Sequence, residues 1–317
     1  MSKNKIEYLK TIELKVKDVA GEFTKTAIVT NITYNNQTNI TTFIVNTISG
    51  FIAGDLAYID DGINSKFITL LTVERVVENN NINLIMTTLG DYSNVNIGSA
   101  IKKSDAINYI DEAILIYAKY KPLINTYVIN GNNSDIYDLP DNWCDGFSQI
   151  LSIEFPLKSN NILEENNYEL YLDTDNKYKI KFVFALNQND KALLTYNTLY
   201  NFDNNNPPSC NVPVIDYYCV CNIASYLYLM ALASSASHNV SSLINADRVD
   251  KENKIDALRK LAKEYLGQAA SWLGVSLKEL DGSEITPAPA SSSQGVEYQD
   301  ERVSIFGKNK NAIKIIY

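Results

Sequence analysis

The feature that most constrains this chain is residues 215–236, a stretch that follows Pro213 and has no polar face. Apolar side chains fall on every side of a helix drawn through it, with Asp216, Asn222, several tyrosines and the pair Cys219 and Cys221 scattered among them. A helix that is apolar all round must be buried in a core or in a membrane. The interrupting polar residues leave no apolar run of the roughly 18 to 20 residues that a span needs. The stretch therefore reads as a buried helix around which the rest is arranged. A partner follows it: Ile255, Leu258, Ala262, Tyr265, Ala269 and Trp272 recur at spacings of three and four, and Gly274 stands where a C-terminal cap belongs.

Upstream the period is different. From Ile12 to about Lys102, short runs such as 26–29, 42–45 and 82–86 are punctuated by Asn, Gly and Asp. Their length and β-branched content predict a small antiparallel β-domain, barrel- or sandwich-like, over residues 1–102. At Ser104, a good N-cap, the period changes to a helical one through Ile107, Ile110, Ile114 and Tyr117 until Pro122. Strand-like runs return at 149–155, 168–172, 178–185 and 192–200, and the strict alternation across 177–182 predicts a sheet with one wet face.

Beyond residue 281 the composition collapses to Pro, Ala, Ser and Gly, which is the signature of a linker. The end then regains β-propensity in Val303, Ile305, Phe306, Ile313, Ile315, Ile316 and Tyr317, while Arg302, Lys308, Lys310 and Lys314 follow the last acid, Glu301. A basic, apolar segment on a tether suits docking to a partner. The expected fold class is α+β, divided into the β-domain 1–102, a core with long helices and an antiparallel β-insertion at 103–280, and a linker with a docking segment at 281–317.

Charge and residue usage narrow the function classes. The net charge of -9 argues against a protein that holds nucleic acid by phosphate contacts, but not against one past which DNA slides. The start of the chain has charges and no apolar stretch behind them, so no signal peptide is expected. The sequons at Asn31, Asn36 and Asn39 then read as chance matches in an Asn-rich chain. Four cysteines, Cys144, Cys210, Cys219 and Cys221, are too few for a disulfide scaffold of 317 residues and read as free thiols.

No catalytic, cofactor or metal constellation emerges. The single histidine, His238, sits where the buried helix should end and reads as a C-terminal cap. Cys219 and Cys221 lie two apart, which does not place them on one helix face. The run from Asp173 to Lys177 starts like a calcium loop but puts Lys177 at a ligand position, so a hairpin turn is expected. The pairs Asp60–Asp61 and Glu164–Glu165 read as exposed turns, and no phosphate-cradling fingerprint is present.

One ordered set of motifs rises above composition. Tyr137, Leu139, Pro140 and Trp143 form a Tyr-x-Leu-Pro-x-x-Trp turn, followed by a strand carrying Ile153, Glu154, Phe155 and Pro156. Next come a hairpin that would join Lys181, Phe182, Val183 and Phe184 to Leu194, Thr195 and Tyr196, and then the two long helices, the second opening on residues 245–249. Over residues 104–274 this order resembles the head-tail connector (adaptor) proteins of tailed bacteriophages.

The resemblance implies a helical connector core and a virion structural role at the neck, assembled in the host cytoplasm without a membrane or cofactor. It implies a homo-oligomeric ring, in the family usually of twelve copies, below the portal protein. The ring would meet a tail-side stopper or tail-completion protein and let DNA pass without specific binding. Within that picture Val303, Ile305, Phe306, Lys308, Lys310, Ile313, Lys314, Ile315 and Tyr317 are the expected partner-docking residues. The alternative is a phage tail or neck binding module whose β-domain recognises a carbohydrate or receptor, with Tyr34, Tyr58 and Tyr92 available to stack on sugars. Virion-hydrolase activity, a third class, would have to run through His238 or one of the acid pairs.

Overall fold

The computed structural model describes residues 2–20, 24–62, 65–78, 81–175, 177–238 and 245–282. The fold is α+β, 32% helical and 38% strand with antiparallel sheets, so neither class of element is an ornament on the other. In chain order the elements are β1 (Lys3–Asn4), α1 (Lys5–Ala20), β2 (Thr24–Asn35), β3 (Ile40–Val45), β4 (Leu56–Asp60), β5 (Ser65–Glu78), β6 (Asn81–Leu89) and β7 (Ala100–Ser104). They continue as α2 (Asn108–Tyr120), β8 (Leu123–Asn130), β9 (Ser134–Asp138), β10 (Ile150–Glu154), β11 (Tyr168–Leu172), β12 (Tyr178–Leu186) and β13 (Lys191–Thr198). The chain then runs through β14 (Ser209–Cys210), α3 (Tyr217–His238), α4 (Asn245–Leu273) and α5 (Leu277–Leu280).

Two compact units result: Met1–Ile114 with Asn201–Trp272, and Leu115–Tyr200 with the chain from Leu273 onward. This division falls inside α2 and groups the β-strands of the first hundred residues with α3 and α4, whereas the sequence suggested cuts near 102 and 281. From residue 283 the expected linker and docking segment lie outside the described residues.

In the first unit, the chain that reads as β-rich from Ile12 is helical there. Ile6, Leu9, Ile12 and Val16 stand three or four apart on α1, each at most 2% exposed, and the helix packs on α3. Burying each such side chain contributes roughly 1.5–3 kcal/mol, enough to override a weak local preference. Asn4 and Glu7 start the helix with a reciprocal pair: Glu7 N–H donates to Asn4 Oδ1 and Asn4 N–H to Glu7 Oε2, both at 2.9 Å. That is a capping box with Asn in place of Ser or Thr.

After α1, six strands close into a barrel in the order β2-β3-β6-β5-β4-β7, with β7 returning to β2. The period-2 alternation expected of half-buried strands is clear in β3, where Thr41, Phe43 and Val45 point inward. The cross-strand pair of Phe43 with Met86, both fully buried, fills the interior.

α3 is the central helix foreseen. Val220, Cys221, Ile223, Ala224 and Leu229 are all fully buried, positions that together cover its circumference. Contrary to the expectation that its polar residues leave too short an apolar run, the window Val214–Ser237 would by length and hydropathy alone suffice to cross a membrane; here α1 and α4 pack against it. On α4 the seam is shifted from the expected one. Ile255, Leu258, Ala262 and Ala269 are buried, but Leu266 and Ala270 complete the stripe, Tyr265 is half-buried and Trp272 is 50% exposed. The 3.6-residue period carries the last two turns of the stripe one position past the expected residues.

The second unit holds two three-stranded sheets, β10-β13-β8 and β11-β12-β9. Both send side chains into one core that includes Ile129, Ile153, Phe182, Leu194 and Tyr196. The alternation at 177–182 behaves as expected: Ile180 and Phe182 are buried while Lys179 and Lys181 reach outward to Asp173 and Glu169.

The hairpin expected between residues 181–184 and 194–196 does not form. β12 is flanked on both sides by β11 and β9, and β13 by β10 and β8, so neither has an edge left for the other. The chain changes sheet at a tight turn in which Asp190 Oδ2 accepts from the Asn187 N–H at 2.8 Å.

Candidate functional site

The seven motif residues divide between a packed corner and the loop after β10. Tyr137 projects from β9 into the core, edge-on to Phe182 at 5.9 Å, and its hydroxyl donates to the Ser134 carbonyl at 2.8 Å. Leu139 packs on the same core and Pro140 is buried. The Pro140 carbonyl accepts from the Trp143 N–H at 2.9 Å, closing a turn that lays the indole against Tyr196 with ring centroids 5.8 Å apart. Asn142 ties this turn to β13, accepting from the Tyr196 hydroxyl through its side chain and from Thr198 Oγ1 through its carbonyl. Ile153 is fully buried opposite Leu194.

Glu154 is half-buried and Pro156 is exposed. Glu154 Oε1 accepts from the Asn160 N–H at 2.9 Å, and the Pro156 carbonyl accepts from Ser159, organising the loop after β10. The structure thus brings Tyr137, Leu139, Pro140, Trp143 and Ile153 together as one packed corner. The corner positions backbone and presents no reactive group. Val303, Ile305, Phe306, Lys308, Lys310, Ile313, Lys314, Ile315 and Tyr317 lie outside the described residues.

One group of exposed apolar side chains lies at the start of α3 and the end of α4. Ile215 is 72% exposed, Tyr218 64% and Trp272 50%. Trp272 is held in place by a bond from its Nε1 to Asp216 Oδ1, 2.5 Å long. Lys15 of α1 spans Tyr218 and Tyr265, its Nζ 5.9 and 5.0 Å from the two ring centroids, and burial holds its ammonium below the ordinary lysine range. An exposed aromatic and aliphatic group fixed by buried polar bonds is the kind of surface that protein interfaces use.

The most elaborate polar cluster was not foreseen. It joins α1 to the barrel. Asp60, expected in an exposed turn, has a side chain only 14% exposed and takes Lys10 at 3.1 Å and Lys102 at 3.0 Å. Burial alone would raise its carboxyl, but the bonds from Lys102 and Lys10 prevail and hold it at about 2. One helical turn along α1 from Lys10, Glu13 accepts from Thr24 Oγ1 at 2.7 Å and from the Tyr58 hydroxyl at 3.5 Å. Here burial wins, pushing the Glu13 carboxyl above its usual range against those bonds.

An open groove of about 450 Å³ runs past Asp60, Asp61, Gly62, Asn96 and Lys102. Its charged floor is already committed to internal pairs. The signal that could have found this cluster is the three-residue spacing of Lys10 and Glu13, which means something only once the segment is known to be helical.

The remaining candidates have local roles. Asp173 takes Lys179 at 2.6 Å and its backbone N–H donates to the Lys177 carbonyl, which makes the segment a β11–β12 hairpin turn. Cys219 and Cys221 are both buried in α3, and burial pushes the Cys221 thiol up to about 12. Among the described residues no group of three or more His, Cys, Asp or Glu side chains converges as metal ligands would. His238 is the last residue of α3.

No protein-family model matches the chain. A search of curated proteins finds no significant relative either.

Proposed function

We propose that this chain is a virion structural protein, a head-tail connector (adaptor) that forms a homo-oligomeric ring below the portal, joins capsid to tail and lets DNA pass. The observation that carries the reading is the motif corner. Tyr137, Leu139, Pro140, Trp143 and Ile153, recognised only as an ordered string, pack as one unit, and the string is followed by two long helices in the family's order.

Two further features agree with it. The helical end at Ile215, Tyr218 and Trp272 offers an apolar face to a neighbouring copy, and the heterologous contacts that close a ring need such a face. The net charge suits a channel that must not retain DNA: twelve copies at -9 would carry about -108. In this reading the work of the protein is docking rather than catalysis. Its partners are the portal, a tail-side stopper or completion protein and copies of itself, and its place is the virion neck after assembly in the host cytoplasm. The segment from Val303 to Tyr317 is its partner-docking element.

Negative-stain imaging of the purified chain, alone and mixed with its portal, tests the proposal. A ring that stacks on the portal is expected. A monodisperse monomer indifferent to the portal would overturn it, and glycan binding by that monomer would point to the receptor-recognition module instead.

A further inference from the structure

The two open sheets of the second unit end in four edge strands, and three of these are defended against further pairing. β9 carries Asp135 and Asp138, β11 carries Glu169, and β10 carries Glu154, which bridges to Ile162, and a register shift between Ile150 and Ser152. Charges and bulges are the usual means by which a sheet edge avoids adding another strand. β8 has neither. Its eight residues, Leu-Ile-Asn-Thr-Tyr-Val-Ile-Asn, contain no charge and no proline, and they pair with β13 in unbroken register from Leu123 to Asn130. Among the described residues no strand pairs with the other side of β8. Ile124 is 61% exposed and Val128 37%, and Thr126 between them is exposed too, so one face of the strand is bare over three successive outward positions.

We infer that two copies of the chain pair through β8, antiparallel and about a twofold axis at Thr126, so that two three-stranded sheets join into one. The strand is its own complement in this register. Ile124 of one copy stands opposite Val128 of the other, Val128 opposite Ile124, and Thr126 opposite Thr126. A Thr–Thr pair is among the cross-strand neighbours that stabilise a sheet, and Ile and Val suit its pleated surface. A slip of one residue would set Ile124 opposite Ile129, which is 2% exposed and belongs to the core face. The exposed face of one sheet would then lie level with the core face of the other, and this fixes the register.

The choice of partner follows from the rest of the fold. The barrel is closed and has no edge, β1 and β14 are two residues long each, and the other three edges of the second unit set carboxylates against a neighbour. Among the described residues of a second copy, β8 is therefore the edge that accepts β8. A contact of one strand from each copy lies at the small end of specific interfaces, below roughly 1,200 Å² in total, so a reversible equilibrium on the order of micromolar or weaker is expected. The inference goes beyond the connector reading and is independent of it: a ring closes through heterologous contacts, whereas this contact is isologous.

Sedimentation velocity of the full chain across a concentration series, with hydrogen exchange at its two ends, tests the pairing. The wild type should associate reversibly, and alternate β8 amides, those facing away from β13, should gain protection as it does. Thr126→Lys and Thr126→Glu, at an exposed position, each set like charges face to face at the axis and should weaken association about fivefold or more. The β13 amides should exchange as before in both. An equimolar mixture of the two variants should recover association, which a folding defect would not allow. Association unchanged in both variants would overturn the inference, as would a mixture that fails to recover or a wild type that stays monomeric. Rings whose β8 amides exchange equally fast at low and high concentration would overturn it and leave the connector reading intact. Protection that does not change on dilution would also overturn it, because the second strand would then come from the same molecule.

Discussion

The side-chain amide of Asn206 grips the backbone of Phe67 at both ends: its Nδ2 donates to the Phe67 carbonyl at 2.8 Å and its Oδ1 accepts from the Phe67 N–H at 2.7 Å. An amide side chain here performs the exchange that a neighbouring strand would otherwise make with β5. It ties the segment before α3 to the barrel 139 residues earlier in the chain.

Asn206→Ala should therefore loosen the barrel from that segment. Two hydrogen bonds in a solvent-accessible setting contribute about 1–2 kcal/mol together, which urea denaturation would register as a lower midpoint. Asn206→Asp should be nearly as costly, since a carboxylate cannot donate to the Phe67 carbonyl and repels it. A midpoint unchanged in both variants would show that the clamp carries no stability.

Glu13 gives a pH-dependent prediction with a defined sign. Burial raises its folded-state pKa above the unfolded value, so its contribution to stability is full below the unfolded carboxyl pKa and is lost as pH rises through the folded one. Glu13→Gln keeps an acceptor for Thr24 and removes the buried charge. The variant should melt at the same or a higher temperature than wild type at pH 7, with the difference disappearing near pH 4. Thermal melts at the two pH values check this.

For Asp60 the sign is reversed. Its folded carboxyl is held at about 2 by Lys102 and Lys10, against the desolvation that opposes them. The stability it contributes is present above the unfolded carboxyl pKa and is lost as pH falls from about 4 toward 2. Lys102→Met should move the Asp60 titration upward in a carboxyl-detected NMR experiment and shift acid unfolding to higher pH. An Asp60 titration unmoved by the substitution would show that Lys10 and the backbone suffice.

How far these features could be read from sequence depends on the range of the interaction. α3 and the stripe on α4 are legible because helical periodicity is local, and the alternation in β12 is legible for the same reason. α1 is hidden because Tyr8 adds an apolar position off the main stripe and Lys and Glu alternate through it, although the Asn4 and Glu7 capping box is visible in four letters. The partners of β12 and β13 are hidden because strand pairing is not local. Nothing in residues 181–196 says that each strand is already flanked on both sides. The motif corner is half legible: the string Tyr137 to Pro156 is readable, but that Tyr137, Pro140 and Ile153 are buried while Pro156 is exposed appears only in the packed core. Asp60 looked like a turn residue because its two lysines come from 50 residues before it and 42 after it.

The bond from Trp272 to Asp216 couples the exposed end of α4 to the start of α3, and it supplies the last prediction. Asp216 is 6% exposed, so losing the indole N–H takes a donor from a buried carboxylate, which costs roughly 1.5–3 kcal/mol. Trp272→Phe keeps an aromatic surface but has no N–H, and it should lose about that amount by denaturant titration. Asp216→Asn retains an oxygen acceptor and should lose less. In the double variant the two effects should fall short of additive, because both act on one bond. If Trp272→Phe is instead neutral in stability yet ring assembly fails, the indole acts through its exposed face, and the contact lies between copies rather than within one.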